Sequence, residues 1–355
     1  MQNTPVFGVI GTGSIGRMHL KALRAAGLTI GALADPSPEA LGAAKELAPE
    51  AKLYADWREL LEDSLVTAVN ICTSNALHFP ILQAALGAGK QVFCEKTMTI
   101  SAEQAREALT WNLAPGQMVQ IGYMKRFFPA SQWVRENLGK IGDPISATVR
   151  SLQGGLVDET IYDSPDWRPT LKGPSRTREF ASGGMLNMAG SHMLDMTAWL
   201  LGQPRKVTCH TWSPLGYDAE LQAHGLFEME SGALVHFEAA LPTFSKTGEY
   251  GNGWEESIRI DGKLGRAELI YPLWNRPEDF PARARIYLEA TGQWNEPAFP
   301  AVNAFQAELE AFARSCRTGR AAGASLHDGA VVDCWIAACY ESARTGNTAR
   351  FALKN

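Results

Sequence analysis

A glycine-rich segment near the beginning of the chain has the residue types and spacing of a dinucleotide-binding turn. It follows an apolar run, PVFGVIG, and precedes an amphipathic stretch that predicts a helix. Gly11 permits a tight turn, Gly13 lets backbone N–H groups approach a pyrophosphate, and Gly16 lets the helix pack close to the sheet. The helix N-terminus adds partial positive charge. The predicted phosphate-binding residues are Gly11, Thr12, Gly13, Ser14, Ile15 and Gly16.

An acidic residue, Asp35, strengthens this interpretation because it ends the second predicted strand at the spacing that the motif requires, roughly 20 residues after the last glycine. A carboxylate there accepts hydrogen bonds from the adenosine ribose hydroxyls. The same charge repels a 2′-phosphate, and the following Pro36 and Ser37 offer no cation to bind one. The sequence therefore predicts NAD, with NADP less favoured. A glycine-rich turn in an unrelated α/β fold is the alternative.

A second group of polar residues follows the next two predicted strands. Ligands in open α/β sheets bind at the carboxyl ends of the strands, so these side chains should lie at the binding edge. Lys96 directly follows a buried strand, where its amine could exchange a proton with a substrate. A solvated Lys96 beside a salt-bridged Glu95 is the alternative. The residues of this group are Thr73, Ser74, Asn75, His78, Glu95 and Lys96.

One histidine, His192, lies in a strongly apolar predicted helix that covers residues 185–201. The small residues Gly190 and Ser191 beside it weaken the helix and suit the close approach of a ligand. Asp195 is three residues further on, where it could orient the imidazole or serve as a structural partner. Taken alone, a histidine in such a helix is more often a core residue that a neighbour hydrogen-bonds than a catalytic base.

The elements that must position these residues change in character along the chain. Strand-like and helix-like segments alternate as far as Tyr123, which predicts a parallel sheet with helices on both faces. Beyond it, consecutive strands separated by short turns predict an antiparallel sheet, and two helices finish the chain. We therefore predict an α/β Rossmann domain over residues 1–123 and an α+β domain over residues 124–355, whose last helices could pack back onto the first domain.

Composition excludes several classes of protein. With 355 residues and 45% hydrophobic side chains, the chain can bury the cores of about two domains, which excludes extended disorder. The net charge of −5 argues against nucleic acid or an anionic membrane surface as partner. We find no apolar run long enough to span a membrane and no signal peptide. The six cysteines form no Cys-x-x-Cys pair, which predicts reduced thiols, no metal site and a cytoplasmic location.

Together, these segments resemble the Gfo/Idh/MocA oxidoreductases over nearly the whole chain. The resemblance implies a C-terminal domain with a large, mostly antiparallel sheet. It also implies NAD-dependent oxidation or reduction of a secondary alcohol on a sugar, sugar acid or cyclitol, by a homodimer or homotetramer. The matching segments are GTGSIGRMH at 11–19, TSNALH at 73–78, CEKT at 94–97, GYMKRF at 122–127, DWR at 166–168, SGGMLNMAGSHMLDMTAWLLG at 182–202 and the closing helices.

The resemblance also implies residue roles. Lys96 matches a lysine that contacts the substrate hydroxyl and the nicotinamide ribose, and His192 matches the acid/base histidine, so the two form the implied catalytic pair. Glu95, Asn75 and His78 match residues of the cofactor site. Lys125 and Arg126 match a basic pair near the cleft, of which Lys125 is the implied substrate contact, and Trp167 and Arg168 match residues that reach the nicotinamide or the substrate.

Three positions depart from the family pattern. Thr97 and Ser74 stand where prolines are usual. Many members carry an aspartate four residues before the histidine, and Met188 occupies that position here. Asn187 precedes it but is rotated by about 100° on an α-helix. We therefore expect Asn187 and Met188 beside the substrate, without the acidic third member of the usual set.

Two other functions are compatible with the same motifs. An NAD-retaining glycosidase of this family would use transient oxidation to eliminate a glycoside. A non-enzymatic regulator would sense a sugar or a dinucleotide. Net formation of NADH distinguishes the dehydrogenase from both alternatives, because only a dehydrogenase accumulates it stoichiometrically.

Overall fold

The computed structural model describes residues 4–156, 183–213 and 219–353. The helices are α1 Ser14–Ala25, α2 Pro38–Lys45, α3 Trp57–Glu62, α4 Asn75–Gly87, α5 Ala102–Ala108, α6 Pro129–Asn137, α7 Ser191–Leu201, α8 Ala304–Thr318 and α9 Leu326–Thr345. The strands are β1 Val6–Ile10, β2 Thr29–Ala34, β3 Lys52–Tyr54, β4 Ala68–Ile71, β5 Gln91–Cys94, β6 Val119–Ile121, β7 Pro144–Gln153, β8 Pro204–Trp212, β9 Gln222–Met229, β10 Leu234–Ala240, β11 Trp254–Gly262, β12 Gly265–Tyr271, β13 Arg283–Leu288, β14 Gln293–Asn295 and β15 Ala349–Arg350.

These elements form two compact units. The first contains Met1–Met124 and Asn303–Asp333, and the second contains Lys125–Val302 and Cys334–Asn355. No helix within the described ranges is both long and apolar enough to cross a membrane. All six cysteines fall in these ranges, and each is buried with a free thiol.

The first unit is a Rossmann fold. In the described part of the chain its sheet has six parallel strands in the order β3-β2-β1-β4-β5-β6. Every residue of β4 is buried, which is why the strand reads as a continuous apolar run with a single polar residue. Strands are added to one side of β1 as far as β3 and to its other side from β4 onward. Such a switch point opens a crevice at the carboxyl ends of the strands.

Helix caps set the limits of several helices in this unit. The side chain of Ser37 accepts a hydrogen bond from the backbone N–H of Ala40 at the start of α2, and Ser101 does the same for Gln104 at the start of α5. Helix α8 closes the core through the ring of Phe312, whose centroid is 6.1 Å from that of Phe7 and 5.7 Å from that of Phe93. The caps and this aromatic cluster fix the frame around the crevice.

The second unit is built on a large, mostly antiparallel sheet. The described residues give nine strands in the order β14-β13-β12-β11-β7-β10-β9-β8-β15, and β7 and β10 pair in parallel. Side chains alternate between buried and exposed along most of these strands, as expected for a sheet with one covered face. The covered face packs on Trp335 of α9, whose ring meets that of Phe227 edge to face at 5.0 Å.

The helix predicted over residues 185–201 begins differently from an ordinary α-helix. Residues Leu186–Gly190 form a π-helical turn, closed by a 2.8 Å hydrogen bond from the N–H of Gly190 to the carbonyl of Met185, and α7 follows directly. A side chain at residue 190 would crowd the same carbonyl, so glycine suits this wider turn. Single π-helical turns are often found at functional sites.

Candidate active site

The glycine turn has the geometry that phosphate binding requires. Gly11 has φ +87°, and a side chain there would lie 2.7 Å from the backbone of Cys72. A side chain at Gly16 would collide with the carbonyl oxygen of Gly11. Gly13 caps α1 without a side-chain hydrogen bond, and among the described residues no atom beyond its immediate neighbours lies within 4 Å of where its side chain would be. The first turn of α1 therefore presents backbone donors to open space, as an anion site does.

Asp35 is held firmly beside this turn. Its Oδ2 accepts hydrogen bonds from the backbone N–H of Thr12 at 2.7 Å and from the hydroxyl of Thr12 at 3.1 Å. Its Oδ1 accepts one from the N–H of Ser37 at 2.9 Å. The carboxylate is thus fixed at the end of β2, where its remaining lone pairs can accept ribose hydroxyls.

A cavity of about 540 Å³ connects the turn, Asp35 and the segment after β4. This volume lies within the range of small-molecule and cofactor sites. Sequence analysis missed the segment Ala55–Arg58, which forms one side of the cavity and carries no motif of its own. The lining residues are Ile10, Gly11, Gly13, Ala34, Asp35, Pro36, Ala55, Asp56, Trp57, Arg58, Cys72, Thr73, Ser74 and Leu77.

Replacing Asp35 with asparagine should weaken the preference for NAD over NADP. The variant keeps an acceptor for Thr12 but loses the negative charge that repels a 2′-phosphate, and such like-charge contacts cost several kcal/mol. We expect the ratio of Kd(NADP) to Kd(NAD) to fall by about tenfold to a hundredfold, measured by quenching of protein fluorescence. Asp56→Asn is the matched control, since Asp56 also lines the cavity and asparagine is an equally good N-cap for α3. An unchanged ratio for Asp35→Asn would exclude this role.

Residues after β4 are hydrogen-bonded to the segment that follows β5. Asn75 donates a 2.9 Å hydrogen bond from Nδ2 to the hydroxyl of Thr97. The imidazole of His78 lies between two carbonyl oxygens, with Nδ1 2.7 Å from that of Thr97 and Nε2 3.0 Å from that of Thr73. Burial lowers the pKa of His78, so the ring is neutral and one nitrogen donates. Both side chains therefore position the chain around Lys96, while Thr73 and Ser74 line the cavity.

Glu95 is buried and holds the backbone at Lys96. Its Oε2 accepts a 3.0 Å hydrogen bond from the N–H of Lys96, and its Oε1 lies 2.7 Å from Nε2 of His19. Burial raises the pKa of Glu95, but its hydrogen bond to His19 and the nearby charges outweigh burial and lower it overall. Glu95 therefore stays ionised, as a positioning group beneath the half-buried Lys96.

The same region contains a group that resembles a metal site. His19, Glu95 and Glu308 each bring one ligand atom within 4.8 Å of the others, and all three are buried. Nδ2 of Asn70 donates to Nδ1 of His19 at 3.0 Å, so Nε2 carries the hydrogen that Glu95 accepts. That nitrogen has no lone pair for a cation, and burial raises the pKa of Glu308 well above its usual value. His19 and Glu95 therefore form a buried hydrogen-bonded pair, with the carboxyl group of Glu308 close beside them.

Asp333 of α9 fixes the far end of the Lys96 segment. Its Oδ2 lies 2.7 Å from the backbone nitrogen of Thr99 and 2.9 Å from the hydroxyl of Thr99. Burial raises the pKa of Asp333 to about 8, and the two contacts with Thr99 lower it only in part. The carboxyl group is therefore largely protonated at neutral pH.

The raised pKa of Asp333 predicts how the stability of the fold depends on pH. The folded chain binds a proton at Asp333 that the unfolded chain has released, so its stability falls as pH rises from about 4 to about 8 and is then constant. Asp333→Asn removes this titration. Between pH 5 and pH 9, the variant should gain stability relative to wild type on the order of 4 kcal/mol, at about 1.4 kcal/mol per pKa unit. Urea denaturation at both pH values tests this, with the exposed Glu46→Gln as control. A difference that does not vary with pH would contradict it.

In the second unit, three candidate residues are more exposed than their neighbours. Within residues 183–197, the half-buried side chains are Asn187, Met188 and His192, and all others are buried. Met188, at the position where the family often has an aspartate, precedes His192 by four residues. The structure therefore leaves these three side chains partly accessible in an otherwise buried segment.

The basic pair after β6 is buried in the second unit. Nζ of Lys125 lies 2.5 Å from Oε2 of Glu256, and Lys125 is 1% exposed. Arg126 binds both oxygens of Asp195, at 2.9 Å and 2.6 Å. Asp195 is therefore engaged by a guanidinium, which supports the structural alternative for this acid. Trp167 and Arg168 lie outside the described residues.

Comparisons with known proteins agree with this architecture. Residues 6–123 match the family model described as an oxidoreductase family with an NAD-binding Rossmann fold, and residues 132–268 match the Gfo/Idh/MocA C-terminal domain. The chain belongs to the Gfo/Idh/MocA oxidoreductase family. The fold class, the Rossmann domain and the NAD-binding character predicted from the sequence are thereby confirmed.

Among the relatives of this Gfo/Idh/MocA protein are two named dehydrogenases. Inositol 2-dehydrogenase 2 of Saccharopolyspora erythraea is 28% identical, over 96% of this chain and 94% of the relative. D-xylose 1-dehydrogenase (NADP(+)) 2 of Haloferax volcanii is 27% identical, over 96% of this chain and 98% of the relative. A solved structure of levoglucosan dehydrogenase with NADH and levoglucosan has the same fold, with a TM-score of 0.80 at 20% identity over 98% of this chain and 100% of the other.

Proposed function

We propose that this protein is an NAD-dependent dehydrogenase or reductase that acts on a secondary alcohol of a sugar, sugar acid or cyclitol, with Lys96 and His192 as its acid/base pair. The observation that carries the proposal is the partial exposure of Asn187, Met188 and His192 in an otherwise buried segment. An imidazole beside an amide and a thioether can accept a proton while its neighbours contact hydroxyl and C–H groups of a polyol.

The chain's own residues perform the acid/base work. His192 removes the proton of the substrate hydroxyl, directly or through water, and Lys96 hydrogen-bonds the same oxygen and stabilises its developing negative charge. Bound NAD supplies the nicotinamide ring that accepts the hydride. Glu95, His78 and Asp333 keep the Lys96 segment in place, so that little reorganisation is needed during the reaction.

The named relatives support a polyhydroxylated substrate. The inositol and xylose dehydrogenases match over almost their whole length, so the similarity includes both units. The carboxylate of Asp35 supports NAD over NADP. Asn187 and Met188 would contact the substrate. Lys125 would contribute to substrate binding while its amine stays paired with the carboxylate of Glu256.

The experiment is a panel of cyclitols, aldoses, anhydrosugars and sugar acids, assayed with NAD and NADP in parallel. The proposal predicts that at least one alcohol yields one NADH per molecule of ketone or lactone formed, with higher kcat/KM for NAD than for NADP. Release of an aglycone from glycosides without net NADH would instead identify the glycosidase. Saturable sugar binding without any change of the cofactor would identify the regulator.

We further propose a cytoplasmic homodimer or homotetramer. The uncovered face of the large sheet carries Leu226 and Leu234, which are 44% and 45% exposed on the adjacent strands β9 and β10. Exposed apolar side chains on a sheet face favour self-association. Analytical ultracentrifugation should give a dimer or tetramer, and a monomer at micromolar concentration would refute this.

A further inference from the structure

A buried chain of hydrogen bonds between side chains anchors the turn that precedes His192. Glu220, which is 2% exposed, accepts a 2.8 Å hydrogen bond on Oε1 from the backbone N–H of Leu186, at the start of the π-helical turn. Its backbone carbonyl accepts another from the N–H of Met185 at 3.0 Å. The hydroxyl of Tyr340 on α9 lies 3.0 Å from both carboxylate oxygens of Glu220. The chain continues to Asn187, whose Nδ2 is 3.1 Å from the hydroxyl oxygen of Tyr340.

The direction of these hydrogen bonds fixes the Asn187 amide. A carboxylate only accepts, so the single hydrogen of the Tyr340 hydroxyl is donated to Glu220. The hydroxyl oxygen can then only accept, and the group that faces it must be the NH₂ of Asn187. The amide oxygen of Asn187 is therefore turned away from Tyr340.

Two consecutive glycines make room for this chain. A side chain at Gly183, which has φ +90°, would collide with the amide of Asn187. One at Gly184 would collide with the carboxylate of Glu220. The carbonyl of Gly184 accepts hydrogen bonds from the N–H groups of both Asn187 and Met188, at 3.1 Å and 3.0 Å. The Gly-Gly pair, the π-helical turn and the polar chain thus form one packed arrangement.

We propose that Glu220 is a positioning residue for substrate binding: through Tyr340 it sets the orientation of the Asn187 amide, whose oxygen accepts a hydrogen bond from a substrate hydroxyl beside His192. This inference rests on the proposed function and deepens it, because it names the group that takes the place of the absent aspartate. An amide oxygen is a neutral acceptor, so it orients a hydroxyl without removing its proton.

Glu220→Gln disturbs this chain of hydrogen bonds. The glutamine oxygen still accepts from Leu186, but its NH₂ stands where the Tyr340 hydroxyl met a second acceptor 3.0 Å away. Two patterns then compete: Tyr340 donates its hydrogen to the glutamine oxygen, or to Asn187 after the Asn187 amide flips, so the amide no longer has a single orientation. Tyr340→Phe removes the hydrogen bond that orients the Asn187 amide. The two effects share one route, so the double variant should be no worse than the single variants.

The experiment measures kcat, KM and substrate Kd for the best polyol, and Kd for NAD, in wild type, Glu220→Gln, Tyr340→Phe and the double variant. Because a substrate hydrogen bond is lost or mismatched, we expect kcat/KM to fall about tenfold to a hundredfold in each single variant. We expect the fall to be non-additive in the double variant and the NAD affinity to stay unchanged. The exposed Glu230→Gln is the matched control. If Glu220→Gln does not fold, Tyr340→Phe, which keeps the ring, gives the same comparison.

The outcomes separate this inference from the proposed function. Normal turnover with wild-type kcat/KM in Tyr340→Phe or Glu220→Gln overturns the role of Glu220 and leaves the dehydrogenase intact. Additive losses, or losses that include NAD affinity, indicate general structural damage and also overturn it. If wild type binds a polyol without oxidising it and the variants weaken that binding, the inference stands and the dehydrogenase proposal fails.

Discussion

Replacing Lys96 with methionine should abolish most turnover and leave the cofactor bound. Methionine keeps a long flexible side chain but removes the amine that stabilises the developing alkoxide, and such groups contribute about 10²–10⁴-fold to the rate. The glycine turn and Asp35, which we propose as the main dinucleotide contacts, lie on other segments of the chain. We therefore expect kcat to fall by about 10²–10⁴-fold, with Kd for NAD changed by less than about tenfold.

The measurement is initial-rate kinetics together with fluorescence titration of NAD. Lys140→Met, at an exposed position, is the matched control for the loss of a lysine. Unchanged turnover in Lys96→Met would reject the role of Lys96. Loss of both turnover and NAD binding would show instead that Lys96 is needed for the cofactor site, and the acid/base assignment would fail.

Replacing His192 with glutamine should lower kcat by a similar factor, in this case because the proton acceptor is lost. Glutamine can hydrogen-bond the substrate oxygen but cannot accept its proton at neutral pH. We expect kcat to fall by about 10²–10⁴-fold with little change in KM. In wild type, kcat/KM for alcohol oxidation should rise with pH over the range in which an imidazole loses its proton, and the variant should lack this rise.

His327→Gln, at an exposed position on α9, is the control for the loss of an imidazole. A pH profile that keeps its acidic limb in His192→Gln would show that another group removes the proton. In that case Asn187, Met188 and His192 would bind substrate without performing acid/base chemistry.

The Rossmann unit was predictable because its signals are local. Apolar runs such as PVFGVIG are buried strands, and Gly11 and Gly16 have the tight contacts expected from their spacing. Strand β3 and helix α3 were missed, since three and six residues carry too little periodicity to be recognised. That omission also concealed the wall of the cavity at Ala55–Arg58.

The candidate site was predictable only where its residues are close in the sequence or belong to a recognised motif. The partners that position them come from distant segments: Asp333 for Thr99, Glu256 for Lys125 and Glu220 for Leu186. Such pairs are created by tertiary packing, and a single sequence has no local pattern that reports them. The π-helical turn is a similar case, because the carboxylate that accepts from its first N–H belongs to Glu220, 34 residues further along the chain.

Lys125 is likewise buried because tertiary packing brings it together with residues that are distant in the sequence. The sequence shows a basic pair after a strand, and either solvent or a ligand could neutralise it. In the structure, Glu256 also accepts hydrogen bonds from Trp254 and Ser151, which completes the desolvated ion pair. None of these partners is within 20 residues of Lys125 in the chain.

The most direct test of the central claim is the fate of the hydrogen on the reacting carbon. An alcohol substrate deuterated at that carbon is incubated with NAD and the wild-type protein, and the nicotinamide is analysed by mass spectrometry. The account predicts one deuterium in each NADH, in amounts equal to the oxidised product, and only trace amounts with Lys96→Met or His192→Gln. Product that retains its deuterium, with NAD unlabelled, would contradict hydride transfer to the cofactor as the net reaction.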